Sequence, residues 1–259
     1  MEPAAPPLRR LDVLLAEDNA VNRRLAVSLL ERRGHRVTTV VNGREAVDAV
    51  AGHAFDVVLM DVQMPEMGGL EATAVIRARE QEHGGHLRIV AMTAHAMKGD
   101  RERCLAAGMD GYLPKPIDAV SLYATLEATV EQDGAGFVDR VAEASAAAPI
   151  DRHRLMERLG GDEQLFVEIA KLFQEDCPNH LDAIRTAIDG GDAARLRAAA
   201  HAFKGAASNL SAVRLSAAAH VLEELAAAAK LDAVDEGWRR LADEASAVMA
   251  ALRQYEATT

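Results

Sequence analysis

Short apolar runs alternate with longer amphipathic segments over the first half of the chain. The runs LDVLLA, RVTTVV, FDVVLMD, RIVAMT and GYLP have the length of buried strands. Each is followed by a segment with the 3.6-residue period of a helix, such as NAVNRRLAVSLLERRG, which ends at Gly34. The pattern predicts five strand–helix units over residues 10–132, and therefore an α/β domain with a doubly wound parallel sheet.

The second half of the chain has a different pattern. Residues 133–149, DGAGFVDRVAEASAAAP, are rich in Gly and Ala and carry little apolar periodicity, which predicts a linker. From Ile150 onward four long segments have helical period, and no run resembles a strand. We expect residues 150–259 to form an all-α antiparallel helical bundle, and residues 1–9 to be a flexible lead before the α/β domain.

Composition excludes several classes of protein. A net charge of −11 opposes nucleic-acid binding, which needs a basic face to replace the counterions of phosphate. Cys104 and Cys177 lie far apart and outside any CxxC spacing, so neither a disulfide framework nor a zinc site is indicated. No apolar run approaches the roughly 20 residues that span a bilayer. We expect a cytoplasmic chain, although a longer parent protein could be membrane-anchored.

Three acidic residues follow predicted strands. In an open parallel sheet the functional site lies at the carboxyl ends of the strands, where Glu17 and Asp18 follow the first strand and Asp61 ends the third. Crowded carboxylates repel one another and raise each other's pKa. A hard divalent cation resolves that conflict, and Mg²⁺ is the expected one because it accepts a few carboxylates and retains waters.

Two further strand ends suit phosphoryl chemistry. Thr93 ends the fourth strand and Lys115 follows the fifth, so a hydroxyl and a cation could bind the oxygens of a phosphorylated Asp61. Asp56 and Asp110 instead open strands. We expect those two carboxylates at the opposite edge of the sheet, away from the site.

The motifs EDN, LMDVQMPEMGG, AMTAHAM and GYLPKP resemble the receiver domain of two-component signalling, of the type attached to hybrid histidine kinases. The resemblance implies a flavodoxin-like fold with Asp61 as the phosphoacceptor. It further implies that Mg²⁺ is held by Asp18, Asp61 and the backbone carbonyl of Gln63, with Glu17 acting through water. Thr93 and Lys115 would contact the phosphoryl group, and Tyr112 would rotate when the domain is activated.

One histidine of the helical half occupies a distinctive position, in the stretch RAAAHAFKGAASNL. At about 100° per residue, Leu196, Phe203 and Leu210 fall in one apolar sector together with two alanines. His201 lies roughly 160° from the centre of that sector on the same helical spacing. We therefore expect its ring to project toward solvent and to lack an internal partner.

The neighbours of His201 suit an incoming phosphoryl group. Arg197 and Lys204 share its side of the helix and could neutralise the negative charge. Gly205 and Ser208 are small and leave room for another protein to approach. His220, on the next predicted helix, is not followed by a Lys-Gly pair.

The stretch AHAFKGAASNL resembles the phosphorylated helix of histidine phosphotransfer (HPt) domains, in which Lys and Gly follow the histidine by three and four residues. The resemblance implies that His201 receives and donates a phosphoryl group. A sensor kinase's dimerisation helix is disfavoured, because an acidic residue typically follows its histidine and Ala202 stands here. No pattern for an ATP-binding domain is visible.

Together these features predict a phosphorelay module that moves a phosphoryl group between Asp61 and His201. The expected partners are an upstream sensor histidine kinase and a downstream response regulator. The linker could span at most about 55–60 Å extended, so transfer within one molecule is allowed, whereas a helical linker would favour transfer between molecules. The alternative is a phosphorylation-switched interaction module whose helical domain is only a docking surface. A freestanding protein and a part of a hybrid kinase both remain open.

Overall fold

The computed structural model describes residues 9–93, 98–127 and 148–256. The chain divides into two compact units, Met1–Gly136 and Phe137–Thr259. The predicted lead up to residue 8 and residues 133–147 of the predicted linker lie outside the described residues.

The N-terminal unit contains a parallel sheet of five strands in the order β2-β1-β3-β4-β5. This confirms the predicted α/β class and the flavodoxin-like doubly wound topology. The strands are β1 (Asp12–Ala16), β2 (Arg36–Val40), β3 (Val57–Asp61), β4 (Arg88–Thr93) and β5 (Gly111–Pro114). The helices are α1 (Ala20–Arg32), α2 (Gly43–Gly52), α3 (Gly69–His83), α4 (Lys98–Ala106) and α5 (Ala119–Glu127).

Alternate residues of the strands pack against helices on the two faces of the sheet. One face forms a core with α2, α3 and α4 that includes Leu14, Val58, Met60, Ile89, Ala91, Ala46, Ala72, Ile76 and Cys104. On the other side the Tyr123 hydroxyl donates to the Leu29 carbonyl over 2.9 Å and joins α5 to α1. The strand order reverses between β1 and β3, which leaves a crevice at the carboxyl ends of these central strands.

The C-terminal unit is helical throughout its described regular elements, as predicted. It consists of α6 (Arg152–Arg158), α7 (Glu163–Asp189), α8 (Ala193–Asn209), α9 (Val213–Ala227), a 3₁₀ turn (Leu231–Ala233) and α10 (Val234–Glu256). The sequence pattern predicts the four long helices and misses the short α6. Asp side chains cap the first turns of α6, α7 and α8, because each accepts a backbone N–H three residues on. Within the described ranges, none of the helices combines the length and apolar character needed to cross a bilayer.

Candidate functional site

The carboxyl edge of the N-terminal sheet brings together the residues predicted from the strand ends. Glu17 follows β1, Asp61 ends β3, Thr93 ends β4 and Lys115 follows β5. These four strands are consecutive neighbours in the sheet, so their ends share one edge. Glu17, Asp61 and Thr93 are all buried. These three side chains are therefore largely shielded from solvent, whereas Asp18 and Lys115 beside them are half-buried.

Lys115 joins two of the carboxylates. Its Nζ lies 2.6 Å from Oε2 of Glu17 and 2.6 Å from Oδ2 of Asp61. Burial alone would lower the pKa of Lys115, but attraction to Glu17 and Asp61 outweighs that effect and raises the pKa above its usual value. The ammonium therefore remains charged and offsets the repulsion between the two acids.

The acidic residues of this edge are suited to a hard cation. Ligand oxygens of Glu17, Asp18 and Asp61 all lie within 4.8 Å of one another. Burial raises the pKa of Glu17 to about 7 against the attraction of Lys115, and burial together with Asp61 raises the pKa of Asp18. Three crowded carboxylates and one lysine leave excess negative charge. An all-oxygen set of this kind fits Mg²⁺.

We predict that the raised pKa of Glu17 makes the cation-free N-terminal unit less stable at higher pH. The folded pKa of about 7 exceeds the ordinary value of 4.5, so the folded state binds the extra proton. That contribution is present below the ordinary value and is lost as the pH rises through about 7. Calorimetry in EDTA should show a falling unfolding temperature between pH 5 and 8. A Glu17→Gln variant with the same pH slope would contradict this.

The loop after β3 holds Asp61 from both sides. The backbone N–H of Gln63 donates to Oδ1 of Asp61 over 3.2 Å, while the Gln63 side chain is exposed. A Cβ added at Gly69, the first residue of α3, would lie 2.1 Å from the Asp61 carbonyl oxygen. The glycine is therefore required by the close approach of the helix to the strand end. Metal ligation by the Gln63 carbonyl stays a prediction.

The predicted switch residues flank the same edge. Thr93 is linked to the segment after β5, because its carbonyl accepts the backbone N–H of Lys115 over 2.7 Å. Tyr112 in β5 is half-buried and packs against the core beneath the site. Contact of Thr93 with a phosphoryl group and rotation of Tyr112 stay predictions.

The two acids that open strands lie at the opposite edge, as predicted. Asp56 accepts the backbone N–H of Asp12, the first residue of β1, over 2.8 Å. Asp110 accepts the backbone N–H of Ile89 over 2.7 Å and a hydrogen bond from Arg77 over 2.7 Å. Both carboxylates are thus occupied in structural contacts away from Asp61.

The prediction that His201 lacks an internal partner is wrong. Its side chain is only 19% exposed, and Nδ1 lies 2.7 Å from Oε1 of Glu223 on α9. The phase of α8 correctly places Leu196, Phe203 and Leu210 in the core, where all three are buried. It says nothing about α9, which packs beside α8 and covers part of the opposite flank.

Lys204 is also engaged within the bundle. Its Nζ lies 2.6 Å from Oε2 of Glu223, so one carboxylate binds both the histidine and the lysine. Burial would raise the pKa of Glu223, but the hydrogen bonds from His201 and Lys204 outweigh it and hold that pKa well below its usual range. Lys204 therefore neutralises Glu223 in this structure, and its predicted role toward a phosphoryl group remains a prediction.

The other predicted surroundings of His201 differ in exposure. Arg197 is exposed, and Gly205 and Ser208 are half-buried. The Ser208 hydroxyl lies 2.8 Å from that of Ser216, so it links α8 to α9. His220 is 45% exposed, and its Nδ1 is 3.5 Å from Oε2 of Glu223, which places this histidine at the margin of the same group.

Glu223 is the functional candidate that sequence reasoning missed. It lies 22 residues after His201, on a different helix. The stretch SAAAHVLEEL contains two consecutive glutamates, of which Glu223 is buried and Glu224 is exposed. The apolar phase of α9 could have indicated that Glu223 faces the bundle. Its meeting with His201 depends on how the two helices pack.

Two family models match the chain. The model described as "Response regulator receiver domain" matches residues 13–127, and the model described as "Hpt domain" matches residues 168–254. The two matches fall in the N-terminal and C-terminal units respectively.

Curated relatives match one or both units. The sensor histidine kinase GacS of Pseudomonas protegens is 33% identical over 90% of this chain and 27% of its own length. The sensor protein GacS of Pseudomonas syringae pv. syringae is 51% identical over 43% of this chain and 13% of its own length. Hybrid signal transduction histidine kinase I of Dictyostelium discoideum is 44% identical over 46% of this chain and 7% of its own length. The chain thus spans about a quarter or less of these relatives.

Solved structures resemble the chain over part of its length. The receiver domain of sensor histidine kinase PA1611 from Pseudomonas aeruginosa, with a magnesium ion in its active site cleft, is 40% identical. The match covers 48% of this chain and 100% of the PA1611 receiver domain, at a TM-score of 0.44. One chain in the Saccharomyces cerevisiae complex of Ypd1 with the receiver domain of Ssk1 is 30% identical to this chain. The match covers 45% of this chain and 86% of the chain in the complex, at a TM-score of 0.44.

Proposed function

The chain belongs to the two-component phosphorelay proteins, with a receiver domain followed by an Hpt domain, and from this premise we propose that it transfers a phosphoryl group between Asp61 and His201. The observation that carries the proposal is that one chain contains both an aspartate and a histidine whose side chains are oriented by neighbouring charged residues. Asp61 is held by Lys115 beside two other acids, and His201 is held by Glu223.

In the receiver domain, the residues proposed to hold Mg²⁺ are Asp18, Asp61 and the carbonyl of Gln63, with Glu17 acting through water. The acidic set supports this choice, because its oxygens converge, and burial together with repulsion from Asp61 raises the pKa of Glu17 and of Asp18. Bound Mg²⁺ would supply positive charge to the phosphoryl oxygens. Lys115 would bind a further phosphoryl oxygen from its place beside Oδ2 of Asp61.

In the Hpt domain, Glu223 defines the reactive nitrogen of His201. A carboxylate can only accept a hydrogen bond, so Nδ1 carries the proton and the lone pair lies on Nε2. In the transfer step Nε2 attacks phosphorus and an N–P bond forms while the bond between phosphorus and the Asp61 oxygen breaks. The electron pair returns to the Asp61 carboxylate. Glu223 stabilises the positive charge that develops on the imidazole.

The proposed partners are an upstream sensor histidine kinase as donor and a downstream response regulator as acceptor. Support comes from the relatives, which are named as sensor or hybrid histidine kinases and are much longer than this chain. We propose that the chain corresponds to the phosphotransfer part of such a kinase. In that arrangement the phosphoryl group reaches this segment from another domain or protein.

The test is to incubate the full chain with ³²P-labelled acetyl phosphate and Mg²⁺, and to separate label by chemistry. Acyl phosphate on Asp61 is lost in base, whereas phosphohistidine survives base and is lost in acid. We expect both pools in the wild type, only the acyl phosphate in His201→Gln, and neither in Asp61→Asn. Label on the double variant would refute both assignments.

The alternative function makes a different prediction in the same experiment. If the helical domain is only a docking surface, the wild type shows acyl phosphate and no base-stable label. Dilution then distinguishes the route of a successful transfer. A rate that falls with protein concentration indicates transfer between molecules, and a constant rate indicates transfer within one.

A further inference from the structure

The first turn of α1 holds the acidic loop that follows β1. Nδ2 of Asn22 donates to Oε1 of Glu17 over 2.8 Å, and both side chains are buried. Nη1 of Arg23 donates to the backbone carbonyls of Glu17 and Asp18 over 2.9 and 3.0 Å. Two consecutive helical residues therefore contact both acidic positions of the loop.

These contacts complete the fixation of Glu17. Its Oε1 binds Asn22, its Oε2 lies beside Lys115, its carbonyl binds Arg23, and its backbone N–H donates to the carbonyl of Val40 over 3.1 Å. Every polar atom of this buried acid has a neighbour of opposite polarity. Such a residue keeps one orientation, although repulsion from Asp18 and Asp61 acts to move it away.

Asn22 is the third residue after the cap of α1, and its side chain contacts Glu17. Asn19 caps α1, and its side chain accepts the backbone N–H of Asn22 over 3.0 Å. The third residue after a cap commonly turns its side chain back to the N–H of the capping residue. Here the side chain of Asn22 reaches two residues further, to the carboxylate of Glu17.

We propose that Asn22 and Arg23 are positioning residues of the divalent cation site. This inference rests on the proposed function, because it concerns the same carboxylates. Neither residue contributes an oxygen to the acidic set of Glu17, Asp18 and Asp61. Asn22 sets the direction of the Glu17 carboxylate, and Arg23 sets the path of the backbone that carries Glu17 and Asp18. The acids are thereby prearranged for a cation.

The charge of Arg23 makes this proposal sharply testable. A positive side chain beside an acidic pocket repels a cation, so removal of its charge should strengthen Mg²⁺ binding if charge were its only influence. Loss of positioning should weaken binding. An Arg23→Gln substitution therefore changes Mg²⁺ affinity in opposite directions through charge and through positioning. The observed change in Kd shows which of the two is larger.

The experiment is a calorimetric titration of the full chain with MgCl₂. We expect Arg23→Gln and Asn22→Ala each to raise the Kd by about tenfold or more, the range found when residues that orient metal ligands are removed. Arg24→Gln removes the same charge one residue on, and Asn42→Ala removes another buried asparagine that caps α2. Both controls should bind Mg²⁺ as tightly as the wild type or more tightly.

A second measurement separates positioning from a general loss of folding. Amide hydrogen exchange at residues 17–19 should accelerate in Arg23→Gln while exchange in β3 and β4 stays unchanged. An unchanged or lower Kd in both Asn22→Ala and Arg23→Gln, with unchanged exchange, would overturn the proposal. Absence of Mg²⁺ binding in the wild type would instead overturn the proposed cation site itself.

Discussion

Replacement of Lys115 with methionine is expected to destabilise the cation-free receiver domain by about 3 kcal/mol, the lower end of the cost of breaking a buried ion pair from one side. The substitution leaves Glu17 and Asp61 without the ammonium that lies 2.6 Å from each of them. Both carboxylates are buried, so water cannot solvate them in place of the ammonium. Urea unfolding in EDTA at pH 7.5 measures the loss.

Addition of Mg²⁺ should restore much of this stability. A ligand that binds only the folded state stabilises it by RT ln(1 + [L]/Kd), so the gain grows with ligand concentration and with affinity. Without Lys115 the pocket is more negative, so the gain from MgCl₂ should be larger in Lys115→Met than in the wild type. Lys171→Met removes an exposed lysine from the other unit and should leave both values unchanged. An undiminished stability of Lys115→Met in EDTA would contradict the role assigned to the bridge.

Replacement of Glu223 with leucine is expected to affect both the stability and the reactivity of the Hpt domain. Lys204 would remain buried without the carboxylate that lies 2.6 Å from its Nζ, at a cost of about 3 kcal/mol. His201 would lose the group that fixes its tautomer and ring orientation. Phosphoryl transfer to His201 should fall about 100-fold, as expected for misplacement of a reacting group by about 1 Å.

Two variants separate these effects. In a Glu223→Leu variant that also carries Lys204→Met, apolar groups replace both partners, so stability should recover while transfer stays slow. Glu224→Leu removes the exposed neighbouring glutamate and should change neither property. Fluorescence of Trp238, the single tryptophan of the chain, reports unfolding of this domain, and rapid-quench labelling reports transfer. Recovery of transfer together with stability in the double variant would show that Glu223 is only structural.

Much of the receiver site could be predicted from local pattern. The end of each strand is visible where an apolar run stops, and parallel topology then requires Glu17, Asp61, Thr93 and Lys115 to share one edge. The structure confirms this convergence. It also confirms that Asp56 and Asp110, which begin strands, lie elsewhere. Periodicity does not reveal the short α6, because its seven residues contain too few turns for a periodic signal.

In the helical unit, periodicity predicts the buried face of a helix but not the contacts of its other face. Periodicity correctly identifies the buried face of α8, since a residue's direction from its own helix axis follows from spacing alone. It does not identify what lies across from the other face. The spacing therefore predicts no internal partner for His201, whereas α9 places Glu223 beside it and beside Lys204.

Local spacing is sufficient to predict the two fold classes, the strand-end acids, the lysine and the histidine. Which of these charges meet depends on tertiary structure. Lys115 reaches Asp61 across 54 residues, and His201 reaches Glu223 across 22. Contacts over such separations depend on the packing of whole elements, and that packing is set by the sum of many side-chain contacts. No single stretch of sequence contains it.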